Sequence, residues 1–233
     1  MNRKYLVFGL IALAGSIGAT PSCADELFLA GGNSGPTSDY AFTGVIIPLP
    51  GAQLGHGLAV RVWGDYLDYT YRTGSRKITA TGFGGALGGV YQFSGAWGWA
   101  NLSPGLTYRN TRLSASDPNN QEAGAHTYFN GEVDGAYNLS SAWRVRGLAS
   151  YTPQTEDYFV QTGIDRSVLD WLRLGIGPTF QGGHDYSEVS GGVTAYIRIM
   201  DGLEIAPSVG VSHSDSGETG PYGAITFVFV GQL

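Results

Sequence analysis

Residues 185–199 read Asp-Tyr-Ser-Glu-Val-Ser-Gly-Gly-Val-Thr-Ala-Tyr-Ile-Arg-Ile, and they alternate almost without fault. Val189, Gly191, Val193, Ala195, Ile197 and Ile199 share one parity, while Tyr186, Glu188, Ser190, Gly192, Thr194, Tyr196 and Arg198 share the other. A period of two places successive side chains on opposite faces of an extended strand, so this stretch is a strand and not a helix. The preceding stretch repeats the pattern, with Leu172, Leu174, Ile176, Pro178 and Phe180 against Trp171, Arg173, Gly175, Gly177, Thr179 and Gln181. Residues 126–139 repeat it again, Phe129, Val133 and Tyr137 standing against Tyr128, Glu132 and Asp134. A soluble sandwich buries its apolar face and wets the polar one, whereas a barrel in lipid turns apolar groups outward and polar groups toward its lumen.

Count and connection choose the barrel. Strands are expected near 26–32, 39–48, 57–72, 77–93, 97–112, 125–139, 142–152, 157–165, 170–181, 185–199, 203–213 and 221–231. That is about twelve, an even number, each near or above the roughly 9–11 residues that a tilted spanning strand needs. Odd-numbered links are polar and longer, as at 114–124 and 212–220. Most even-numbered links are tight and flanked by bulky groups: Phe93-Ser-Gly-Ala-Trp97, Leu139-Ser-Ser-Ala-Trp143, Val168-Leu-Asp-Trp171 and Ile199-Met-Asp-Gly-Leu203. Short inner turns with an aromatic belt and longer outer loops are the asymmetry of outer-membrane barrels. The link at 48–56 is longer than that rule wants. The chain end also alternates, with Ile225, Phe227, Phe229, Gly231 and Leu233 on one parity. The fold class expected is therefore all-β: an antiparallel up-and-down transmembrane β-barrel of about twelve strands. A periplasmic β-sandwich is the alternative.

The first residues speak of export. Asn2, Arg3 and Lys4 precede an uncharged, largely apolar run from Tyr5 to Gly18, and small residues stand at Ser22 and Ala24, the −3 and −1 positions before Asp25. This is the layout of a cleaved signal peptide, expected over 1–24, with the barrel over 25–233. A lipoprotein acylated at Cys23 is the competing reading, but Thr20 stands where a leucine is wanted. Cys23 is the chain's single cysteine, so no disulfide staples the fold.

Composition narrows the function. Glycine supplies 37 of 233 residues, more than twice the usual share of about 7%. Charged residues are only 14% and aromatics reach 12%, which excludes a disordered chain. A net charge of −6 without a basic block argues against a nucleic-acid partner. Lipid of the outer membrane is the partner that the exposed apolar parity implies.

Projection by parity puts Arg61, Arg109, Arg144, Arg146, Arg173 and Arg198 toward the lumen, with Asp65, Glu132, Asp134, Asp165, Glu188 and Glu204. Charges at membrane depth are costly in lipid, so those at depth must point inward. The balance of sign favours pairing across the lumen over the one-sided field of an ion-selective pore. Trp63, Tyr69, Tyr71, Tyr128, Tyr186 and Tyr196 share the inward parity. They either fill space or offer a glycan-contacting surface; the residues alone leave both open. Gly82, Gly84, Ala86 and Gly88 share one face of the fourth strand, where missing side chains leave room for a neighbour's bulky group or permit tight curvature. Pro48, Pro104, Pro178 and Pro207 fall inside expected strands, on what reads as the outward parity, where each removes a ladder donor.

Catalysis finds little support. The histidines, His56, His126, His184 and His213, fall in links or near strand ends, and His213-Ser214-Asp215 cannot form a triad because adjacent strand residues point oppositely. Metal-ligand spacings and a nucleophile elbow are absent, so no catalytic residue, metal or cofactor is expected.

Four stretches together carry a family resemblance. They are Ala41 to Pro50 running into Gly51-Ala-Gln-Leu-Gly-His-Gly-Leu-Ala-Val-Arg-Val, Gly88-Gly-Val-Tyr-Gln-Phe with Trp99-Ala-Asn-Leu, Tyr108-Arg-Asn-Thr-Arg-Leu-Ser through Asp117-Pro-Asn-Asn, and Trp143-Arg-Val-Arg-Gly-Leu-Ala-Ser-Tyr with Leu172-Arg-Leu-Gly-Ile-Gly-Pro. In these the chain resembles the BcsS family of cellulose-biosynthesis proteins from alphaproteobacteria. The resemblance implies a non-catalytic accessory barrel of cellulose production or export, whose partners would be cellulose or envelope components of the cellulose synthase. It offers no catalytic residues to carry over. A small-solute channel and a lipid-modifying enzyme remain the other readings.

Overall fold

A computed structural model describes residues 25–118, 120, 122–183, 186–215 and 217–231. The expected signal peptide, His184, Asp185 and Leu233 lie outside the described residues. Twelve strands form in chain order: β1 Glu26–Ser34, β2 Ser38–Pro48, β3 Gly57–Thr73, β4 Arg76–Gly95, β5 Gly98–Leu113, β6 Gly124–Asn138, β7 Trp143–Thr152, β8 Asp157–Leu169, β9 Leu172–Gly182, β10 Ser187–Met200, β11 Leu203–Ser214 and β12 Thr219–Gly231. Each pairs antiparallel with its sequence neighbours, and β1 pairs with β12 from Glu26↔Gly231 to Ser34↔Gly223, so the sheet closes. Closure leaves no sheet edge, the condition for backbone in lipid. The fold is the expected up-and-down transmembrane barrel.

The outer surface is what such a barrel requires. Phe83, Leu87, Leu102, Leu106, Val193, Val209 and Ile225 are exposed around the wall. Trp97, Trp143 and Trp171, all at the end bearing the short turns, are exposed too. Arg166 caps one of them, its guanidinium 5.4 Å from the Trp143 ring. An apolar surface this continuous is rare on a soluble monomer. These short turns mark the inner end of the barrel.

Strand length is uneven. β3 and β4 run 17 and 20 residues, whereas β7 runs 10. At about 3.4 Å per residue and a tilt near 40°, β4 rises about 50 Å, twice the apolar band of roughly 25 Å, while β7 only spans it. The surplus of β3 and β4 stands beyond the band at the outer end. It forms one tall wall of a mouth.

The prolines sit where the ladder lapses. Pro104 stays paired with Gly131 of β6, but pairing between β4 and β5 breaks between Gly88↔Gly105 and Tyr91↔Leu102. Pro178 keeps Gly191 of β10 while the β8 side lapses between Gln161↔Thr179 and Ile164↔Ile176. Pro207 likewise keeps Ile225 while the β10 side lapses between Thr194↔Ser208 and Ile197↔Ile205. The missing donor costs a rung on one side and leaves the other intact. Pro48 departs from expectation: it is the last residue of β2 and is buried on the parity of Phe42 and Ile46, not outward.

The lumen also differs from the uniformly polar interior expected. Leu27, Leu29, Phe42, Ile46, Ala59, Val90 and Val228 form a buried apolar cluster inside the barrel, joined by Leu54 from the inner link. The reason lies in β1, β2 and β12, which are apolar on both parities, as in Leu27-Phe28-Leu29 and Phe227-Val228-Phe229. Where both faces are apolar, one meets lipid and the other packs inside.

Candidate functional site

Two layers of side chains fill the lumen. The inner layer lies where β7 to β11 approach the turn end, and Asp165 of β8 is its centre, only 1% exposed. Arg144 approaches Asp165 Oδ2 with both Nε and a terminal nitrogen at 3.1 Å, Arg146 Nε lies 3.6 Å from Oδ1, and Arg173 Nε lies 3.6 Å from Oδ2. Arg173 also donates to Glu204 at 3.0 Å. Tyr196, 1% exposed, lies under the Arg146 and Arg173 guanidiniums at 4.7 and 5.5 Å. Three cations thus share two carboxylates and one aromatic face in a space withdrawn from water. Glycine makes the space: a Cβ on Gly175 would fall 3.1 Å from both Asp165 Cβ and Tyr196 Cε2.

The other wall at this depth is held by hydrogen bonds. Asp134 accepts from Asn101 Nδ2 at 3.1 Å, and the inner link is tied to this wall by Gly55 N donating to Gln92 Oε1 at 3.1 Å. With the apolar cluster, these groups block the inner half of the barrel.

The outer layer encloses a cavity of about 200 Å³. Arg61 ion-pairs with Glu132 across the lumen, and Arg109 donates to Asp65 at 2.7 Å. Gly84 lets that second pair form, since a Cβ there would lie 2.6 Å from Asp65 Oδ1. Trp63 stacks on Phe42 at 4.8 Å between centroids and donates to the Tyr40 hydroxyl at 3.2 Å. Its close approach depends on Gly44, where a Cβ would sit 2.0 Å from the indole ring. Tyr69 stacks on Tyr186 at 6.3 Å and donates to Glu122 at 2.7 Å. Tyr71 and Thr73 donate to Asp117 at 3.0 and 2.9 Å, and Asn120 donates to the Tyr71 hydroxyl at 3.1 Å. Asp117, Asn120 and Glu122 of the outer link are thereby held against β3.

Of the charged residues assigned to the lumen by parity, the structure brings Arg61, Asp65, Arg109, Glu132, Arg144, Arg146, Asp165, Arg173 and Glu204 into ion pairs. Asp134 is buried but bonded to an amide, and Glu188 accepts from Thr37 at 3.0 Å near the outer end. Arg198 is exposed at the inner rim, opposite Glu204 in the ladder. Among the aromatics, Trp63, Tyr69, Tyr71, Tyr128 and Tyr186 line the cavity. Tyr196 does not; it belongs to the arginine layer. Tyr186 precedes β10 and reaches the cavity from a link, where burial, then Asp157 and Glu122, push its phenol well above its ordinary pKa. It stays a neutral donor.

Parity missed several lining residues. Tyr40 lies on β2, whose two faces are equally apolar, and Glu122 lies in a link, where parity has no meaning. Gln181 carried the inward parity but no charge or ring to single it out. The histidines stay apart: His126 is half-buried on β6 against Tyr128, and His213 faces outward on β11, with Nδ1 2.7 Å from the Thr219 hydroxyl. Among the described residues, no group of three His, Cys, Asp or Glu side chains could hold a metal ion.

Comparison with known proteins bears on this filled barrel. The model of the family described as cellulose biosynthesis protein BcsS matches residues 27–230. The chain belongs to this family. The match runs from the second residue of β1 to the penultimate residue of β12, so membership covers both layers of the lumen. No functionally curated protein matches the chain in sequence. Among solved structures, an outer membrane channel of Pseudomonas putida F1 is similar in fold, with a TM-score of 0.54 at 13% identity over 94% of this chain and 100% of that one. A KdgM porin matches with a TM-score of 0.49 at 11% identity, over 87% of this chain and 98% of that one.

Proposed function

We propose that the protein is a non-catalytic accessory of cellulose biosynthesis, seated in the outer membrane, that contacts the glucan or another envelope component instead of conducting solutes. Family membership over residues 27–230 carries the link to cellulose. The exposed apolar wall and the tryptophans at the turn end support the location. The Asp165 layer and the apolar cluster opposite it argue against a conduit, since a water-filled lumen would leave those carboxylates and leucines wet.

Deleting the gene and measuring cellulose in the colony tests this reading. Reduced, misplaced or texturally altered cellulose is expected; cellulose unchanged in all three respects would overturn it. The closed lumen has a separate check in planar bilayers, where the purified barrel should be silent. Steady conductance would favour a solute channel.

A further inference from the structure

We propose that the outer cavity binds the terminal sugar of a neutral β-linked glucan, one hexose deep, entering from the outer end. This deepens the reading above and rests on it for the choice of glucan.

Size sets the first limit. A cavity of about 200 Å³ exceeds the engineered void of about 150 Å³ that takes up benzene, a six-membered ring, so it has room for one pyranose ring. The arginine layer and the apolar cluster close the inner side, so a chain cannot thread through. What fits is an end.

Chemistry sets the second. Trp63, Tyr69, Tyr128 and Tyr186 contribute rigid rings with polar tips to the lining. Such side chains offer contact area at small entropic cost. The lining charges are largely spent on each other, Arg61 on Glu132 and Arg109 on Asp65, so little field remains to select an ion.

The orphaned polar atoms decide between ligands. Gln181 is 4% exposed and lines the cavity, and its Oε1 has no partner among the described residues. Asp157 Oδ1 and Arg109 Nε, on residues of the same lining, are also unpartnered there. Two acceptors and one donor are thus left over just behind the lining, with almost no accessible area of their own; a buried acceptor left unpaired costs about 1–3 kcal/mol, which favours a turn of these side chains toward a ligand. A divalent cation would want six or more oxygens and no guanidinium beside them. A sugar hydroxyl both donates and accepts, so a polyhydroxylated ring satisfies a mixed set. An acidic sugar is disfavoured by Glu122 and Asp157, the lining carboxylates that the two arginine pairs leave over.

The test is binding by the full barrel in detergent micelles, read by saturation-transfer NMR and calorimetry with cellotriose, trigalacturonate and calcium chloride as separate probes. Saturable cellotriose binding is expected. Gln181→Leu and Tyr186→Ala should each weaken it about tenfold, roughly 1.4 kcal/mol. Both variants should keep the wild-type gel shift between unboiled and boiled samples, and Tyr186→Ala, altered outside the strands, guards against a folding artefact. No saturable cellotriose signal in wild type, unchanged affinity in both variants, or tighter binding of trigalacturonate or calcium would overturn the proposal. Loss of cellulose on gene deletion without cellotriose binding would refute this site and leave the accessory role standing. Cellotriose binding with unaltered cellulose would support the site and refute the role.

Discussion

Replacing Asp165 by alanine should be the most damaging single change in the lumen. The carboxylate is almost wholly buried and is approached by three guanidiniums at 3.1–3.6 Å. At an effective dielectric near 20, each such contact is worth about 5 kcal/mol of Coulomb attraction, offset by several kcal/mol of desolvation per ion. The native layer is therefore close to balanced, and its loss is not. Without Asp165, Arg173 keeps Glu204 and Arg146 keeps only the face of Tyr196, while Arg144 faces its fellow cations. Breaking a buried pair in this way costs about 3–5 kcal/mol. Asp165→Asn, which keeps the volume and one acceptor, should cost about 1.5–3 kcal/mol, the worth of hydrogen bonds to a charged group. Adding Arg146→Gln to the asparagine variant removes a surplus cation and should recover part of the loss, so the two changes will be non-additive. The assay is the urea midpoint of the barrel in liposomes by tryptophan fluorescence. A midpoint for Asp165→Ala within about 1 kcal/mol of wild type, or strict additivity in the cycle, would refute the buried-charge argument.

Other changes probe other layers. Val193 lies outward between Ile176 and Val209, so Val193→Arg should cost about 2–4 kcal/mol by the same urea midpoint, while Ser75→Arg beyond the band costs nothing measurable. Gly175→Val forces a side chain into the gap between Asp165 and Tyr196 and should cost about 1–3 kcal/mol. Combined Tyr71→Phe and Thr73→Val removes two donors to Asp117, so proteinase K should cut link 114–123 faster with little change in the midpoint. The Tyr186 phenol is raised in the fold, so its contribution to stability is complete below the ordinary tyrosine pKa near 10 and is lost as pH rises toward the folded value. Tyr186→Phe should flatten that alkaline decline in the urea midpoint.

The strands were legible because lipid outside and side chains inside impose a period of two on almost every segment. Expected and observed limits agree within two residues except in β8, which continues to Leu169 instead of ending near 165. The missed residues, Arg166-Ser-Val-Leu169, begin with an arginine that looks like a link but lies against Trp143 at the interface. Pro48 was misplaced for a related reason: β2 carries Val45, Ile46 and Ile47 in a row, so parity there has no polar face to anchor it. The glycines of β4 were read correctly as space, and Gly84 shows for whom, since Asp65 and Arg109 meet over it.

What parity cannot supply is who meets whom across the lumen. Inward direction is local, but the partner of an inward charge depends on strand tilt and shear, which are properties of the closed barrel. Arg61 and Glu132 are 71 positions apart and lie on β3 and β6, and nothing in either segment encodes their pairing. Equal numbers of inward cations and anions favour pairing but say nothing of its unevenness. Three arginines crowd Asp165 at the inner end, and the carboxylates left over gather at the outer mouth with the tyrosines. On the function proposed above, that separation makes the inner layer a seal and the outer layer a receptacle: a conduit would want the same polar residues spread along the axis, whereas three arginines stand together at Asp165 and the rings and unpaired acceptors stand at the other end.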